Sequence, residues 1–411
     1  MGTIETESTW TSLRSMPAAV WLLYLAALIN RFGNSAIVFL VFHLRAIGLS
    51  AGQAGFVLTA YGLGGLGSSV VGGHLADKIS RQRVISGSAV FACVGFLALG
   101  QVHGYRVLVL VSVCTGLMAE MYRPAANALV ADLVPPGKRV TAFAGYRLFT
   151  NAGFAVGPMI GGLLSREGTG YVFGIAAACC LCYAALVLFG VRGPASPVRG
   201  RARAGRRSAL STVTRDRRFL TFLAAYFLVM LVLMQYQSTF ALFTDRIGLS
   251  QREFGILVGL NGMLVVILSL PASAVTATLR SGIAIALGFL LTGVGFGLNL
   301  FATDVLLVVV AVVVATMGEV IFIPRGAAYV AEIAPVEMRA RYMSALESAW
   351  SLSLVVSPVL GIAAYEAAGR SFWIICASVG AVAAAAMLVS HRPPGGTVLG
   401  EERAPAATTI G

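Results

Sequence analysis

The chain has 411 residues, of which 58% are hydrophobic and only 11% charged, with a formal net charge of +13. A soluble domain covers its surface with about a quarter charged residues, so a water-soluble globule is excluded. Apolar runs of about twenty residues exclude a transmembrane barrel, whose strands alternate over about ten, and leave helices that satisfy their own backbones. Hydropathy predicts twelve spans in chain order, near 17–42, 51–75, 84–101, 106–131, 141–164, 171–191, 218–243, 252–277, 282–301, 304–331, 341–366 and 371–390. The expected fold class is an all-α membrane protein of twelve transmembrane helices.

Span one follows a polar tail (1–16) and lacks a short apolar region with a cleavage site, so it is expected to be retained. It carries Arg31 at its centre, with Asn30, Phe32 and Asn34 beside it. Span two holds Tyr61 and a Gly62-x-Gly64-x-x-Gly67 run. That run matches the dinucleotide spacing, but no strand precedes it, so no cofactor is expected there. Between spans two and three lies Gly73-His74-Leu75-Ala76-Asp77-Lys78-Ile79-Ser80-Arg81-Gln82-Arg83. Asp77 sits at a helix C-terminus, where an anion is unfavourable unless paired.

Span four contains Glu120 and Arg123, three apart and so on one face, with Asp132 near its end. Span five carries Tyr146, Arg147 and Asn151, then Gly153, Gly157, Pro158, Gly161 and Gly162, whose four-residue spacing lets helices approach closely. All six cysteines (Cys93, Cys114, Cys179, Cys180, Cys182, Cys376) lie in apolar segments without accompanying histidines, and no metal site is expected. Span seven contains Tyr226 and the run Gln235-Tyr236-Gln237, and span eight contains Asn261. In span ten Glu319 and Arg325 flank Pro324; span eleven contributes Glu347 and Trp350.

Ionisable groups deep in a bilayer cost at least a few kcal/mol, so they default to function. Glu120, Arg123, Arg31, Glu319 and Arg325 are the candidates for proton coupling or substrate contact, with Glu120 ranked ahead of Glu319. Asn30, Asn34, Tyr146, Asn151, Gln235, Tyr236, Gln237, Asn261 and Trp350 are candidate cavity-lining positions. No nucleophile–base arrangement and no phosphate-cradling GxxxxGK[ST] is present, so neither an enzyme nor an ATP-driven pump is expected.

Shifting the chain by 200 residues superposes Pro124, Ala128, Val130, Ala131, Pro135, Arg139, Pro158 and Gly161 on Pro324, Ala328, Val330, Ala331, Pro335, Arg339, Pro358 and Gly361; Asp132 meets Glu332. Spans four and five therefore recur as ten and eleven in the same orientation, giving two parallel six-helix repeats. The expected division is a tail (1–16), a first bundle (17–191), a basic linker (192–217), a second bundle (218–391) and a tail (392–411). Twenty of the thirty basic residues fall on the side of the termini and six on the other. Positive charge concentrates in the cytoplasm, so both termini are expected there, in a cell membrane. That placement also explains the arginine-rich linker without nucleic acid.

Three of these stretches resemble the major facilitator superfamily. The 73–83 loop is similar to its G-x-L-x-D-r-x-G-R-r motif, with Ser80 in place of the second glycine. Arg123 matches the membrane arginine of a second motif. The span-five run Gly153 to Gly162 resembles the motif of the twelve-span proton-coupled drug antiporters. The resemblance implies the major facilitator fold and a monomer in lipid that exchanges a drug, antibiotic or small metabolite for a proton, the proton being the only coupling partner. It also implies a gate made of Gly73, Asp77, Arg81, Asp132, Arg147 and Glu347, with a pairing that crosses the two halves in one access state. Import of a sugar, peptide or organic anion is the alternative; a lipid flippase or a membrane sensor would reuse the same fold.

Overall fold

The computed structural model describes residues 15–165, 168–191, 216–276, 278–335 and 338–390. The tails and most of the basic linker lie outside the described residues. The described residues form helices throughout, with no strand among them.

The twelve predicted spans are twelve helices. They are α1 (Ala18–Asn34, a 3-10 turn Ser35–Phe39, then Leu40–Ala46), α2 (Ala51–Lys78), α3 (Arg81–Gln101), α4 (Tyr105–Leu133), α5 (Arg139–Leu164) and α6 (Thr169–Ala185, ending in a π-turn, Leu186–Gly190). The second set is α7 (Arg217–Leu233, a 3-10 turn Met234–Gln237, then Thr239–Arg246), α8 (Gln251–Thr276), α9 (Ser281–Leu298), α10 (Val305–Ile333), α11 (Arg339–Ala368) and α12 (Phe372–Ser390).

Ten described stretches are long and apolar enough to cross a membrane by length and composition alone. The last of them, Arg341–Ser390, takes in both α11 and α12. Helix α5 falls short because Arg147, Thr150, Asn151 and its glycines dilute its hydropathy. It lies against α1 and α8 instead of relying on lipid.

The 200-residue repeat extends further than the segments that revealed it. Both first helices break into 3-10 geometry at overlapping positions of the repeat, a feature that marks hinges when it falls inside a helix. Both then turn through a glycine with positive φ, Gly48 at 91° and Gly248 at 82°, a conformation that only glycine adopts without strain. Each turn leads into a capping box. Ser50 Oγ accepts from Gln53 N at 3.2 Å while Gln53 Oε1 accepts from Ser50 N at 2.9 Å; Ser250 and Glu253 make the same exchange at 3.3 and 2.8 Å.

Within each half the helices pack on one another: α3 on α4 and α6, α1 on α5 and α6, α9 on α10 and α12. Two inner pairs join the halves, α5 with α8 and α2 with α11. These contacts concentrate at the end away from Asp77–Arg83, Lys138–Arg139 and Arg339–Arg341. A Cβ on Gly162 would meet Arg252 Cα and Gly255 Cα at 3.1 Å, so those two backbones touch. Thr59 Oγ1 donates to Val355 O at 2.8 Å, and Gly55 lies against Ile362. Phe254 of the second half stacks edge-on with Phe39 and Phe42 of the first at 5.6 and 4.9 Å. The far end is closed. At the basic end Arg123, Arg147 and Glu347 are solvent-exposed, and the space between the halves opens there.

Candidate functional site

The space narrows at mid-span to a cavity of about 120 Å³. The first half supplies Arg31, Asn151 and Phe154; the second supplies Tyr236, Gln237, Asn261, Glu319 and Trp350, with Val38, Met234, Val258 and Val265 completing an apolar wall. The 3-10 turn of α7 aims Tyr236 and Gln237 into this space.

Glu319 is held by a polar relay within the second half. Asn261 Nδ2 donates to Glu319 Oε2 at 2.8 Å and to Thr316 Oγ1 at 3.0 Å; Thr316 in turn donates to Val312 O at 2.7 Å. Thr316 stands one turn before Glu319 on α10, so Asn261 bridges both from α8. Glu319 makes no ion pair among the described residues. Arg147, in the other half, is within electrostatic reach of it.

Glu120 differs. It pairs with Arg123 at 2.5 Å, and its side chain is 13% exposed against 47% for the arginine. The pair is tethered on one helix, with the charge of Glu120 already compensated. Tyr61 and Tyr146 are within electrostatic reach of it and of Arg31. Arg31 lies over the Phe154 ring, 5.0 Å from its centroid, and makes no ion pair among the described residues.

Several expected members lie elsewhere. Arg325 is not with Glu319: its guanidinium donates to Thr276 O and, at 2.7 Å, to Leu279 O, capping the carbonyl end of α8. Six residues along a helix turn it well away from Glu319. Asn30, Asn34 and Gln235 are buried between helices rather than lining the cavity. Asn34 donates to Ala119 O at 3.4 Å. Gln235 donates to Ser357 Oγ at 2.8 Å and Leu231 O at 2.9 Å, filling the space left by Gly361. Tyr146 is also buried outside the cavity lining. Asn151, Tyr236, Gln237, Asn261 and Trp350 do line it. The apolar members, Phe154 foremost, were missed because a spanning phenylalanine looks the same whether it faces lipid or cavity. Only its place one turn beyond Asn151 hinted at it.

The gate residues divide too. Arg81 pairs with Asp132 and donates to Ala128 O at 2.7 Å, both on α4 of the first half. At the repeat positions Ser281 Oγ donates to Glu332 Oε2 at 3.0 Å, the same tie with an uncharged donor in place of the arginine. The side chain of Asp77 lies outside the described residues. Arg147 and Glu347 face the opening from opposite halves, both within electrostatic reach of Tyr226. Neither forms an ion pair among the described residues. Gly73 has open space around it.

The span-five glycines serve two neighbours. Gly153, Gly157 and Gly161 receive α1, against Leu28, Ser35 and Phe39, while Gly162 receives Gly255 of α8. One helix thus packs its own half and seals the far end.

The family model for the Major Facilitator Superfamily matches residues 21–284 and 240–410. An uncharacterized MFS-type transporter of Bacillus subtilis (strain 168), YttB, is 25% identical over 352 residues, covering 84% of this chain and 88% of its own length. The quinolone resistance protein NorA of Staphylococcus aureus is 30% identical over 124 residues, 30% of this chain and 32% of that protein. Among solved structures, a mutant form of the nucleoside transporter NupG superposes with a TM-score of 0.80 at 14% identity, covering 91% of this chain and all of that one. At that identity the likeness is one of fold.

Proposed function

From the premise that this chain belongs to the Major Facilitator Superfamily, and is a membrane transporter and not an enzyme, we propose that it exports a small organic solute in exchange for protons. Glu319 carries the proposal: a carboxylate at mid-span, in the cavity between the halves, held by Asn261 and free of any ion pair among the described residues.

An ionised carboxylate shut away from water is costly unless paired. Glu319 can be neutralised either by a proton or by a positively polarised group on a solute. The two compete for one site, and that competition is antiport. With the cavity open to the basic end, the ionised carboxylate receives solute. Once the cavity opens to the other side, a proton replaces the solute, and the neutral site recloses. Glu120 is the weaker carrier because Arg123 already compensates it, which reverses the order expected from sequence.

The open end is compatible with export. If the basic end is cytoplasmic, by the charge bias of the loops, the cavity is open to the cell interior, where an exported solute enters. The partial likeness to NorA supports the drug class. Arg31 in the cavity wall and Arg147 within electrostatic reach of Glu319 favour the alternative, import of an organic anion or peptide, because they would attract a negative group.

A susceptibility panel in cells with and without the gene separates the two. Export predicts lower susceptibility to at least one drug class, quinolones among those tested, and loss of that protection in Glu319→Gln at equal membrane abundance. Unchanged susceptibility to every compound, with faster uptake of an organic anion, would overturn export.

A further inference from the structure

We propose that the outer wall of the first half binds an anionic phospholipid, its headgroup at Arg83 and one acyl chain in a groove between α3 and α6. The groove measures about 460 Å³, inside the roughly 300–1,000 Å³ range of small-molecule sites. Its chemistry is graded along the membrane normal. Arg83 lies in the first turn of α3 at the basic end; Phe91, eight residues on, lies about 12 Å deeper. Across from them Leu188 and Phe189 of α6 supply an apolar wall. Ser86 adds no polarity, because its hydroxyl donates to Ala184 O at 3.0 Å.

Two local features open the space. Gly87 has nothing within 4 Å of where a Cβ would stand, so the gap beside it belongs to the groove. The π-turn Leu186–Gly190 widens the end of α6 and leaves Phe189 80% exposed; such turns gather at functional sites. The repeat supplies an internal comparison. At the positions 200 residues on, Arg83, Gly87 and Phe91 become Ile283, Leu287 and Leu291. The second half builds the same helix without the charge and without the gap, so the fold requires neither.

The occupant follows from what surrounds the groove. Helix α3 packs on α4 and α6, and α6 on α1 and α3; their outer faces meet the bilayer and not the central cavity. Arg83 is exposed and makes no ion pair among the described residues. The N-terminus of α3 adds to its positive potential. The chain's own following segment, with Arg199, Arg201 and Arg203, carries the same sign of charge as Arg83. A lipid phosphate at headgroup depth complements it, and its chain continues down the apolar wall.

The full-length protein, purified and delipidated in mild detergent, is mixed with palmitoyl-oleoyl phosphatidylglycerol or the matching phosphatidylcholine, and bound lipid is counted by native mass spectrometry. Phosphatidylglycerol is expected to bind more tightly. Arg83→Ala should weaken it about five-fold while Arg83→Lys retains it, and Gly87→Leu should weaken both lipids by filling the groove. Arg45→Ala, at the far end, should change nothing. Thermal unfolding checks that each variant is folded. Equal binding of the two lipids by the wild type, or wild-type binding by both Arg83→Ala and Gly87→Leu, would overturn the site. So would displacement of the lipid by a peptide of residues 192–215, which would assign the groove to the chain itself. No transport is measured, so the result is independent of the proposed export.

Discussion

At the residue scale the two mid-span carboxylates occupy opposite situations. Glu120 is compensated by Arg123 on its own helix, and Glu319 is hydrogen-bonded by an amide from the neighbouring helix. Glu120→Gln leaves Arg123 without its partner. Because that arginine is half exposed and stays partly solvated, the expected cost is on the order of 1–3 kcal/mol, read as a lower Tm, and Glu120→Gln/Arg123→Gln should recover part of it. Glu319→Gln keeps an amide that can bond Asn261, so its Tm should stay within a degree or two of wild type while coupling is lost. Asn261→Leu removes the donor that holds Glu319; coupled transport in proteoliposomes should fall with little change in abundance. Sequence placed both carboxylates at the right depth because charge in an apolar run is conspicuous. It could not separate their roles: a partner three residues along the same helix is visible in sequence, whereas Asn261 comes from another helix. Arg325 misled for the same reason, since the carbonyls it caps belong to α8.

Individual helices show how the glycines of α5 do two tasks. Gly162 and Gly255 bring α5 and α8 into backbone contact at the far end. Gly162→Val forces them apart by the width of a side chain. The expected outcome is a population shift toward the state open at the far end, read as faster thiol labelling of a cysteine introduced at Phe254, which the far-end contact buries. Unchanged labelling would mean that the far-end contact does not hold this state. Gly48, with φ of 91°, tests the turn instead: Gly48→Val puts a β-branched residue in the left-handed region and should cost about 1–2 kcal/mol, with no specific effect on coupling beyond the loss of stability. The helices are legible from hydropathy, α5 least clearly because its polar residues and glycines dilute it. The repeat Ile47-Gly48-Leu49-Ser50 against Ile247-Gly248-Leu249-Ser250 is equally present in the sequence. The 3-10 breaks at Ser35–Phe39 and Met234–Gln237 have no such signature: neither contains the proline or glycine that usually announces a break.

At the scale of the whole molecule, two six-helix sets meet along α2–α11 and α5–α8, closed at one end and open at the other. Arg147 and Glu347, from opposite halves, are both within electrostatic reach of Tyr226, and the pairing proposed for them on closure can be tested by charge reversal. A Glu347→Arg variant should hinder closure and slow transport; restoring the complement with Arg147→Glu in the same chain should recover part of the rate. The fold was legible because lipid permits few spanning architectures and the repeat fixes their symmetry. The state was not, because the sequence is the same whichever end is open.

The proton-for-solute exchange at Glu319 is tested most directly by substrate-evoked proton flux in proteoliposomes loaded with a pH-sensitive dye, using a quinolone that the susceptibility panel identifies as exported. For the wild type, adding the drug should drive protons across the membrane opposite to the drug, saturably, and Glu319→Gln should abolish the flux while Glu120→Gln keeps a measurable part of it. A Glu319→Gln protein that still moves protons against the drug at the wild-type rate would contradict the assignment outright.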